Sequence, residues 1–321
     1  MVPAVSACLI VRDEQQNLGA CLESVVPYVD QILVCDTGST DDTVAVARDF
    51  GARVVAAEWS DDFAAARNLA LEACEAPWVL SLDADERVEG NPSWLPVMLD
   101  ALDDDIAALT VEITQSGGFD PRGVPTHRAV KLFKPDRCRW AGRVHERVVW
   151  AGGQFAGLLV PGVRLPAPTL RLVHHGYADT AVAAAKAARN ARLAERQLAD
   201  VVALDVKGDE LAAAELDLGR SQLGLDRAAA RALLASARSH ATPGGVVWLL
   251  ATDFLAWDSV THGEAEEAGA LALELEAMGA TEDYVRWLGA HVAELQGRTD
   301  VAERLAGGVS ARVSVLAHLS G

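Results

Sequence analysis

The sequence predicts an α/β domain with a mixed, mainly parallel and doubly wound sheet, followed by an all-helical region. Apolar runs of strand length alternate with helical patterns over roughly the first ninety residues, which is typical of such a sheet. One of these runs, Trp78–Leu82, stops abruptly at carboxylates, and from about Ala178 only helical patterns remain. We therefore expect residues 1–177 to form the first domain and residues 178–321 to form the second.

The alternation in the first domain comprises four strand patterns and three helix patterns. Strands are predicted at residues 5–11, 31–35, 53–57 and 78–82, and helices at 17–25, 42–50 and from 61 or 62 through 74. In the first helix the apolar positions recur at helical spacing, at Leu18, Cys21, Leu22 and Val25. Right-handed crossovers between parallel strands would bring the carboxyl ends of these strands to one edge of the sheet.

Small polar residues mark the places where two of these helices begin. Gly38 suits a tight turn after the second strand, and Ser39 or Thr40 is expected to cap the helix that follows. Asp61 or Asp62 is expected to cap the third helix in the same way. Both signals support the predicted order of strands and helices.

Acidic side chains follow three of the predicted strands. Asp13 and Glu14 follow the first, Asp36 the second, and Asp83 and Asp85 the fourth. In an open α/β sheet ligands bind at the carboxyl ends of the strands, and carboxylate oxygens suit Mg²⁺ or Mn²⁺. A divalent ion at this edge could hold a diphosphate; the alternative is that the Asp-x-Asp tripeptide only caps a following helix. No G-x-G-x-x-G or G-x-x-x-x-G-K motif is present, which disfavours a dinucleotide-binding or P-loop site.

Farther along the chain, more strand patterns are expected to extend the sheet and to close the pocket from the other side. A helix is predicted at residues 94–102, strands at 107–113, 129–133 and 170–173, and a loop rich in glycine and proline at 117–125. Two stretches dense in polar side chains, residues 139–146 and 174–177, accompany these strands.

The second domain is predicted to contain helix–turn–helix repeats. Repeat units begin near residues 216, 247 and 284, at spacings of roughly 31 and 37 residues that are close to the 34 of tetratricopeptide repeats. Such repeats bury a shared core by stacking and present a concave surface. We expect Trp248, Trp257 and Trp287 to be packing residues of this domain.

The composition limits the classes of partner. A formal net charge of −18 over 321 residues argues against nucleic acid or an anionic membrane as the main partner. A phosphate-bearing ligand must therefore be held locally, by a metal, an arginine or a helix N-terminus. The five cysteines include no Cys-x-x-Cys pair, which argues against a disulfide framework or a zinc site. Because neither a basic leader nor a long apolar run is present, we expect a cytoplasmic protein without a membrane span.

Four motifs resemble, in this order, those of family 2 glycosyltransferases with the A-type nucleotide-sugar fold. They are Ile-Val-Arg-Asp-Glu at 10–14, Asp-Thr-Gly-Ser-Thr-Asp-Asp at 36–42, Phe-Ala-Ala-Ala-Arg-Asn at 63–68 and Trp-Val-Leu-Ser-Leu-Asp-Ala-Asp-Glu at 78–86. Gly-Arg-Val-His-Glu at 142–146 and His-His-Gly-Tyr at 174–177 resemble the second half of the same catalytic domain. The branch that the chain most resembles carries C-terminal helical repeats and includes peptide glycosyltransferases, with lipopolysaccharide-core glucosyltransferases as near relatives.

The resemblance implies a donor-binding role for six residues: Val11, Glu14, Asp36, Arg67, Asp83 and Ala84. Asp36 would meet the uracil of a UDP-sugar. Arg67, whose alternative is a solvated surface charge, would lie against the nucleotide, and Asp83 would contact the ribose or a metal-bound water. Arg12 stands where many members of the family have an aromatic ring, so the base-stacking contact is unassigned.

The resemblance also implies a metal site and a general base. Asp85 would bind Mn²⁺ or Mg²⁺ with His174 as a further ligand, and His175 competes with His174 for that role. Family 2 enzymes invert the anomeric carbon by direct displacement, for which a general base takes the proton of the acceptor. Glu146 is the preferred base, and the neighbouring His145 is the alternative.

Structural alternatives remain for several of these assignments. Glu146 could instead pair with Arg143 or Arg147, and either histidine of the metal assignment could be purely structural. Trp140 is expected to form a platform for the acceptor or the sugar, or to be a core residue.

These expectations describe a metal-dependent, inverting glycosyltransferase that moves a sugar from a nucleotide-diphospho-sugar, expected to be UDP-linked, to a peptide, protein or saccharide acceptor. The helical domain would supply a surface for the acceptor or for a homodimer. The alternative function is a non-catalytic helical-repeat scaffold with a vestigial nucleotide pocket. A nucleotidyltransferase is disfavoured because no basic, glycine-rich phosphate loop lies near the first strand.

Overall fold

A computed structural model of the chain describes residues 4–115, 126–151, 160–175, 180–307 and 309. The chain divides into two compact units, the first within residues 1–118 and 128–177 and the second within residues 119–127 and 178–321. The loop expected at 117–125, the residues Gly176 and Tyr177, and the expected domain boundary after residue 177 lie outside the described residues.

The predicted alternation of strands and helices is present at the start of the first unit, with ends shifted by no more than two residues. The elements are β1 (Val5–Val11), α1 (Leu18–Val25), β2 (Gln31–Asp36), α2 (Thr43–Asp49), β3 (Arg53–Ala56), α3 (Phe63–Glu72) and β4 (Trp78–Leu82). They are followed by β5 (Glu86–Glu89), α4 (Trp94–Asp100), β6 (Ala108–Gln115), β7 (Thr126–Phe133), β8 (Cys138–Ala141), β9 (Arg147–Trp150), β10 (Val163–Arg164) and β11 (Arg171–His174). The sequence patterns had not indicated β5, β8, β9 or β10.

The first unit is built on one mixed sheet whose strands follow the order β3-β2-β1-β4-β7-β6-β11-β5, with β10 beside β6. Strands β3, β2, β1 and β4 are parallel to their neighbours, whereas β7 is antiparallel to β4. Strand β11 is parallel to β6 and antiparallel to β5. The predicted mixed, mainly parallel sheet is therefore confirmed, and the later strands do extend it.

Strand β4 lies inside this sheet between β1 and β7, and all five of its residues are buried. Leu80 and Leu82 belong to one apolar cluster of the core, and Val79 and Phe133 belong to the other. Because successive side chains of a strand point to opposite faces, β4 contributes to both cores. Its uninterrupted apolar run is explained by this coverage on both faces.

The sheet curls between β4 and β5. Only residues 83–85 separate these two strands, yet β7, β6 and β11 lie between them in the sheet order. A step of four residues spans at most about 14 Å, whereas four strand spacings in a flat sheet span about 19 Å. The curl brings β5 to β11, with Glu86 opposite His174. Since Asp85 leads directly into a strand, the alternative in which the Asp-x-Asp tripeptide caps a helix is wrong.

One of the two predicted helix caps is present, and the other is wrong. Asp62 is the N-cap of α3, where its Oδ1 accepts a hydrogen bond from the backbone N–H of Ala65 at 2.8 Å. The N-cap of α2 is Asp42, not Ser39 or Thr40. Those two residues instead contact the loop after β1, and this contact draws them away from the start of the helix.

The part of the second unit that is described from residue 180 onward is helical. Its helices are α5 (Thr180–Ala203), α6 (Asp209–Gln222), α7 (Arg227–His240), α8 (Val246–Thr261), α9 (Ala265–Ala277), α10 (Glu282–Leu295) and α11 (Thr299–Ala306). Helices α6, α8 and α10 begin at residues 209, 246 and 282, which gives spacings of 37 and 36 residues and agrees with the predicted repeat. Trp248 is buried and Trp257 stacks on Trp287 with ring centroids 5.0 Å apart, as expected of packing residues. Within the described residues no helix is long and apolar enough to cross a membrane.

The variant Gly90→Ala tests the close approach of the main chain after β5 to Thr169. The φ of Gly90 is +132°, and a Cβ at this position would lie 2.6 Å from the carbonyl oxygen of Thr169. We expect Gly90→Ala to lower the free energy of unfolding by about 3 kcal/mol, because strain at φ adds to a backbone clash. Gly51→Ala is the matched control: φ is +72° there, no heavy atom lies within 4 Å, and we expect a loss of about 1 kcal/mol. Urea unfolding of both variants measures the difference, and equal losses would contradict the close approach.

Candidate functional site

The carboxyl ends of three parallel strands meet at one edge of the sheet. In the pairing of β1 with β2, Val11 lies opposite Asp36, and in the pairing of β1 with β4, Leu9 lies opposite Leu82. The acidic residues that follow these strands are therefore brought to one edge, as the sequence predicted. Since β1 separates β2 from β4, Asp36 is about 10 Å from the end of β4 across two strand spacings.

Asp36 and Val11 are fixed by hydrogen bonds to the loop after β2. The carbonyl oxygen of Val11 accepts from the backbone N–H of Thr37 at 3.0 Å and from its hydroxyl at 3.1 Å. The buried carboxylate of Asp36 accepts from the backbone N–H groups of Gly38 and Ser39, both at 3.2 Å. This part of the edge is thus preorganised by short-range backbone contacts.

The loops after β1 and β2 also hold each other. Asp13 has a φ of +54°, and its Oδ1 accepts from the backbone N–H of Thr40 at 2.7 Å. The backbone N–H of Glu14 donates to the hydroxyl of Thr43 at 2.7 Å. The carboxylate of Glu14 accepts from the side chain of Asn17 at 2.8 Å. Val11, Glu14 and Asp36 therefore lie in one ordered patch at the carboxyl ends of β1 and β2, on the outer side of the edge from β4.

Arg67 joins two carboxylates from distant parts of the chain. Its Nη2 donates to Oδ1 of Asp83 and its Nε donates to Oε1 of Glu146, both at 2.7 Å. Its Nη1 reaches the hydroxyl of Ser81 at 3.4 Å, and the guanidinium lies 4.9 Å from the centroid of the Trp140 ring. The side chain is only 10% exposed, so the interpretation of Arg67 as a solvated surface charge is wrong. Burial opposes the charge of Arg67, but the two carboxylates raise its pKa above the usual value.

Lys131 is a second buried cation at this edge, which the sequence reading missed. Its Nζ lies 2.8 Å from Oε2 of Glu86 and 3.5 Å from Oδ2 of Asp83. Oε2 of Glu86 also accepts from the backbone N–H of Asp83 at 2.9 Å. A single lysine inside the apolar strand pattern 129–133 was the signal that could have found it. We call Asp83, Glu86, Glu146, Arg67 and Lys131 the carboxylate cluster.

The two cations keep Asp83 ionised. Burial by itself would raise the pKa of Asp83, but Lys131 and Arg67 lower it far below its usual range. Burial is the largest effect on Glu86, whose pKa is raised although Lys131 opposes the shift. Asp83 is therefore a fixed negative charge at every physiological pH.

Asp85 and His174 meet beside this cluster. Nε2 of His174 lies 3.1 Å from Oδ2 of Asp85, and the hydrogen bond between them raises the pKa of His174. His175 contacts Asp85 through its backbone, because its N–H donates to the Asp85 carbonyl at 2.8 Å while its side chain is exposed. The ring of His174, one of the two histidines that the sequence left open, therefore reaches the Asp85 carboxylate.

The residues present fit a divalent cation. Among the described residues no group of three or more His, Cys, Asp or Glu side chains is arranged to hold a metal. Asp85 and His174 nevertheless offer an oxygen and a nitrogen donor side by side, and Mn²⁺ accepts both. Ions such as Mg²⁺ use one or two protein carboxylates and complete their shell with water and substrate phosphates. Two side-chain ligands are therefore enough for a cation that arrives with a diphosphate.

The segment that carries the remaining predicted residues packs against α3. Trp140 is 8% exposed, and its ring lies edge-to-face on Phe133 with centroids 5.7 Å apart, as expected of a core residue. His145 has a φ of +56° in the loop between β8 and β9. Glu146 follows it and pairs with Arg67, not with Arg143 or Arg147 as the alternative required.

The structure also shows the contacts of Arg143 and Ala84. The guanidinium of Arg143 lies 3.9 Å from the carboxylate of Asp62, the cap of α3. Ala84 is buried between the two aspartates, and its carbonyl accepts from the guanidinium of Arg87 at 3.0 Å.

Comparison with known proteins finds a family model that matches part of the chain. Residues 6–150 match the model of the glycosyl transferase family 2. A TPR repeat-containing protein of Synechococcus elongatus is 39% identical over 180 residues, which cover 54% of this chain and 42% of that protein. The lipopolysaccharide core biosynthesis glycosyltransferase LpsC of Rhizobium meliloti is 30% identical over 164 residues, which cover 47% of this chain and 60% of LpsC. The chain thus spans less than two thirds of the length of either relative.

A solved structure with a partial likeness is glucosyl-3-phosphoglycerate synthase from Mycobacterium tuberculosis, in complex with Mn²⁺, UDP and glucosyl-3-phosphoglycerate. It is 26% identical, the likeness covers 36% of this chain and 45% of that chain, and the TM-score is 0.30.

Lys131→Met tests the charge balance of the carboxylate cluster. The substitution keeps the length of the side chain and leaves Glu86 without its buried cation, so we expect a loss of about 3–5 kcal/mol in the free energy of unfolding. Lys134→Met is the matched control, because Lys134 is only partly buried and its Nζ donates to the carbonyl of Asp104 and lies 5.1 Å from the centroid of the Trp78 ring, away from the carboxylate cluster. We expect less than about 1 kcal/mol for the control. Chemical denaturation followed by circular dichroism measures both losses, and a Lys131 variant as stable as the control would refute the balance.

Proposed function

We propose that this protein transfers a sugar from a nucleotide-diphospho-sugar to an acceptor, and the premise is the match of residues 6–150 to the model of the glycosyl transferase family 2. The donor we propose is UDP-linked, and the acceptor is a peptide, a protein or a saccharide. The observation that carries the proposal is the meeting of Asp83, Asp85, Arg67 and Glu146 at the carboxyl ends of the strands, where ligands of α/β sheets bind.

The ordered patch at the outer side of the edge supports binding of the nucleoside. The carboxylate of Asp36 is buried and held by two backbone N–H groups, so it can accept from the imide N–H of uracil without rearranging. Val11 and Glu14 line the same patch. Asp83 remains ionised beside Arg67 and is suited to accept from a ribose hydroxyl.

A charge count supports a divalent metal ion, Mn²⁺ or Mg²⁺. The charged groups are four carboxylates and two cations: Asp83, Asp85, Glu86, Glu146, Arg67 and Lys131. With His174 neutral, as metal binding requires, two negative charges are left over. Asp85 and His174 would hold the ion, which when bound supplies neutralisation of the charge that develops on the diphosphate.

Glu146 is the proposed general base. Its Oε1 is bound to Arg67, and within the described part of the chain its Oε2 has no hydrogen-bond partner. The nucleophilic atom of the acceptor would form a bond to the anomeric carbon while the bond from that carbon to the diphosphate breaks, which inverts the configuration. The proton of the acceptor would pass to Oε2 of Glu146. The neighbouring His145 is the alternative base.

Asp85→Asn tests the metal assignment. The substitution removes the charge and keeps the size, so we expect Mn²⁺-dependent binding of UDP to weaken at least tenfold and sugar transfer to be lost. Asp49→Asn is the matched control, because Asp49 is exposed at the end of α2 and is expected to leave both quantities unchanged. Calorimetric titration with UDP and MnCl₂ measures the binding. Absence of heat with the unchanged protein would favour the scaffold alternative instead.

Glu146→Gln tests the base. We expect binding of UDP to persist while the release of UDP from UDP-sugars falls by about 10²–10⁴, the usual contribution of a general base. His145→Gln, made in parallel, is expected to reduce the rate far less. A loss confined to the His145 variant would assign the base to that histidine.

A further inference from the structure

Arg67 binds its two carboxylates with different nitrogen atoms. Nη2 holds Asp83 at the end of β4, and Nε holds Glu146 in the loop between β8 and β9, each at 2.7 Å. One guanidinium therefore connects the carboxylate proposed for the donor with the carboxylate proposed as base. The planar fork of an arginine keeps the directions of these two bonds fixed relative to each other.

The guanidinium itself has little freedom to move. The Trp140 ring packs 4.9 Å from it, the Ser81 hydroxyl lies 3.4 Å from Nη1, and the side chain is 10% exposed. Because Ser81 is in β4 and Trp140 is in β8, Arg67 is fixed from both sides of the site. Its position is set by packing as well as by the two ion pairs.

The next residue of α3 fixes the main chain that leads to Glu146. The side chain of Asn68 donates to the carbonyl of Trp140 at 3.0 Å, and its Oδ1 accepts from the backbone N–H of Trp140 at 2.9 Å. This pair of bonds ties β8 to α3 in the way that a neighbouring strand would. Asn68 thus fixes the main chain of β8, which precedes the loop between β8 and β9. Arg67 binds the carboxylate of Glu146 at the end of that loop.

Only one oxygen of Glu146 is used by this contact. Oε1 accepts from Arg67, whereas Oε2 has no hydrogen-bond partner in the described residues, and the side chain is 13% exposed. A base needs one oxygen that accepts the proton and a fixed direction for it, and a group bound to the other oxygen supplies the direction. Stability alone is a weak explanation of the pair, because a buried ion pair adds little net stability over apolar packing.

We propose that Arg67 is a positioning residue that fixes the carboxylate of Glu146 and aims its second oxygen at the acceptor, through a guanidinium that is anchored on Asp83. The inference rests on the proposed function, because it needs Glu146 as base. It assigns to Arg67 an action on the acceptor side of the reaction, in addition to any contact with the nucleotide.

A double-mutant cycle between Arg67 and Glu146 separates the two actions. The readout is UDP release from UDP-glucose, UDP-galactose and UDP-N-acetylglucosamine with water as acceptor, using the donor that is hydrolysed fastest. We expect Arg67→Lys to lower kcat at least tenfold, since a lysine keeps the charge but not the fixed fork, and we expect this loss to exceed the changes in KM and in the Kd of UDP, which report any contact with the nucleotide. In the Glu146→Gln background, the same substitution is expected to change kcat less than threefold.

Arg128→Lys is the matched control for the cycle. Arg128 is buried in the same sheet and donates to the carbonyls of Thr110 and Leu165, which are not part of the site. We expect Arg128→Lys to cost stability, and we expect its effect on kcat to be the same in the Glu146→Gln background as in the unchanged protein. All variants are compared at equal folded fraction by circular dichroism. Should Arg67→Lys fail to fold, Glu146→Asp tests the same geometry, because the shorter side chain moves the carboxylate away from its place while Arg67 stays intact. We expect Glu146→Asp to lower kcat at least tenfold.

Two results would overturn the inference. The first is that Arg67→Lys lowers kcat by the same factor in the unchanged protein and in the Glu146→Gln background, or that it changes only KM and the Kd of UDP. Either outcome would mean that Arg67 acts on the donor alone. The second comes from a crystal structure of the Arg67→Lys variant, in which we expect the Glu146 carboxylate to be displaced with β8 unmoved. A carboxylate that keeps its place would refute the positioning role. Should the unchanged protein release UDP from none of the donors, the proposed function fails, while the crystal structure still decides the role of Arg67.

Discussion

The site depends on the neutralisation of the acidic groups at the end of β4 by two buried cations. Three carboxylates, those of Asp83, Asp85 and Glu86, occur within four residues at the end of a buried strand. In a poorly hydrated position such charges would repel one another and take up protons. Arg67 from α3 and Lys131 from β7 reach the same place and make the arrangement stable. The helix before β4 and the strand beside it are therefore as necessary to the site as the acidic motif itself.

A second constraint is the curl of the sheet. The three residues between β4 and β5 are too few to cross a flat sheet, so the far edge bends round until β5 and β11 pair. This bend places His174 of β11 against Asp85, although 89 positions separate them in the chain. The metal-binding pair that we propose is thus a consequence of sheet shape, and no local motif contains both members.

Because the whole chain is strongly acidic, the positive charge that attracts a phosphate has to come from cations within the site. At a net charge of −18, the protein repels a diphosphate at long range, and attraction has to be built at short range. Arg67 and Lys131 are both engaged with carboxylates, so neither alone can meet a phosphate with its full charge. A divalent cation at Asp85 is the simplest source of the missing positive charge, and this links the acidity of the protein to the proposed metal requirement.

The sequence by itself determined the features that are written in local periodicity. Patterns a few residues long predict the alternation of β1 through β4, the Asp62 cap and the acidic residues at strand ends. The recurrence of similar patterns along the second unit predicts the spacing of about 36 residues between α6, α8 and α10. Tertiary structure alone decided the pairing of Arg67 with Glu146, the place of Lys131, the burial of Trp140, the contact of the His174 ring with Asp85, and the strands β5, β8, β9 and β10. The ion pairs among them join residues far apart in the chain, such as Arg67 with Asp83 across 16 positions and His174 with Asp85 across 89 positions. An ion pair of that kind leaves no periodic signal in a sequence, because its partners are chosen by the path of the folded chain.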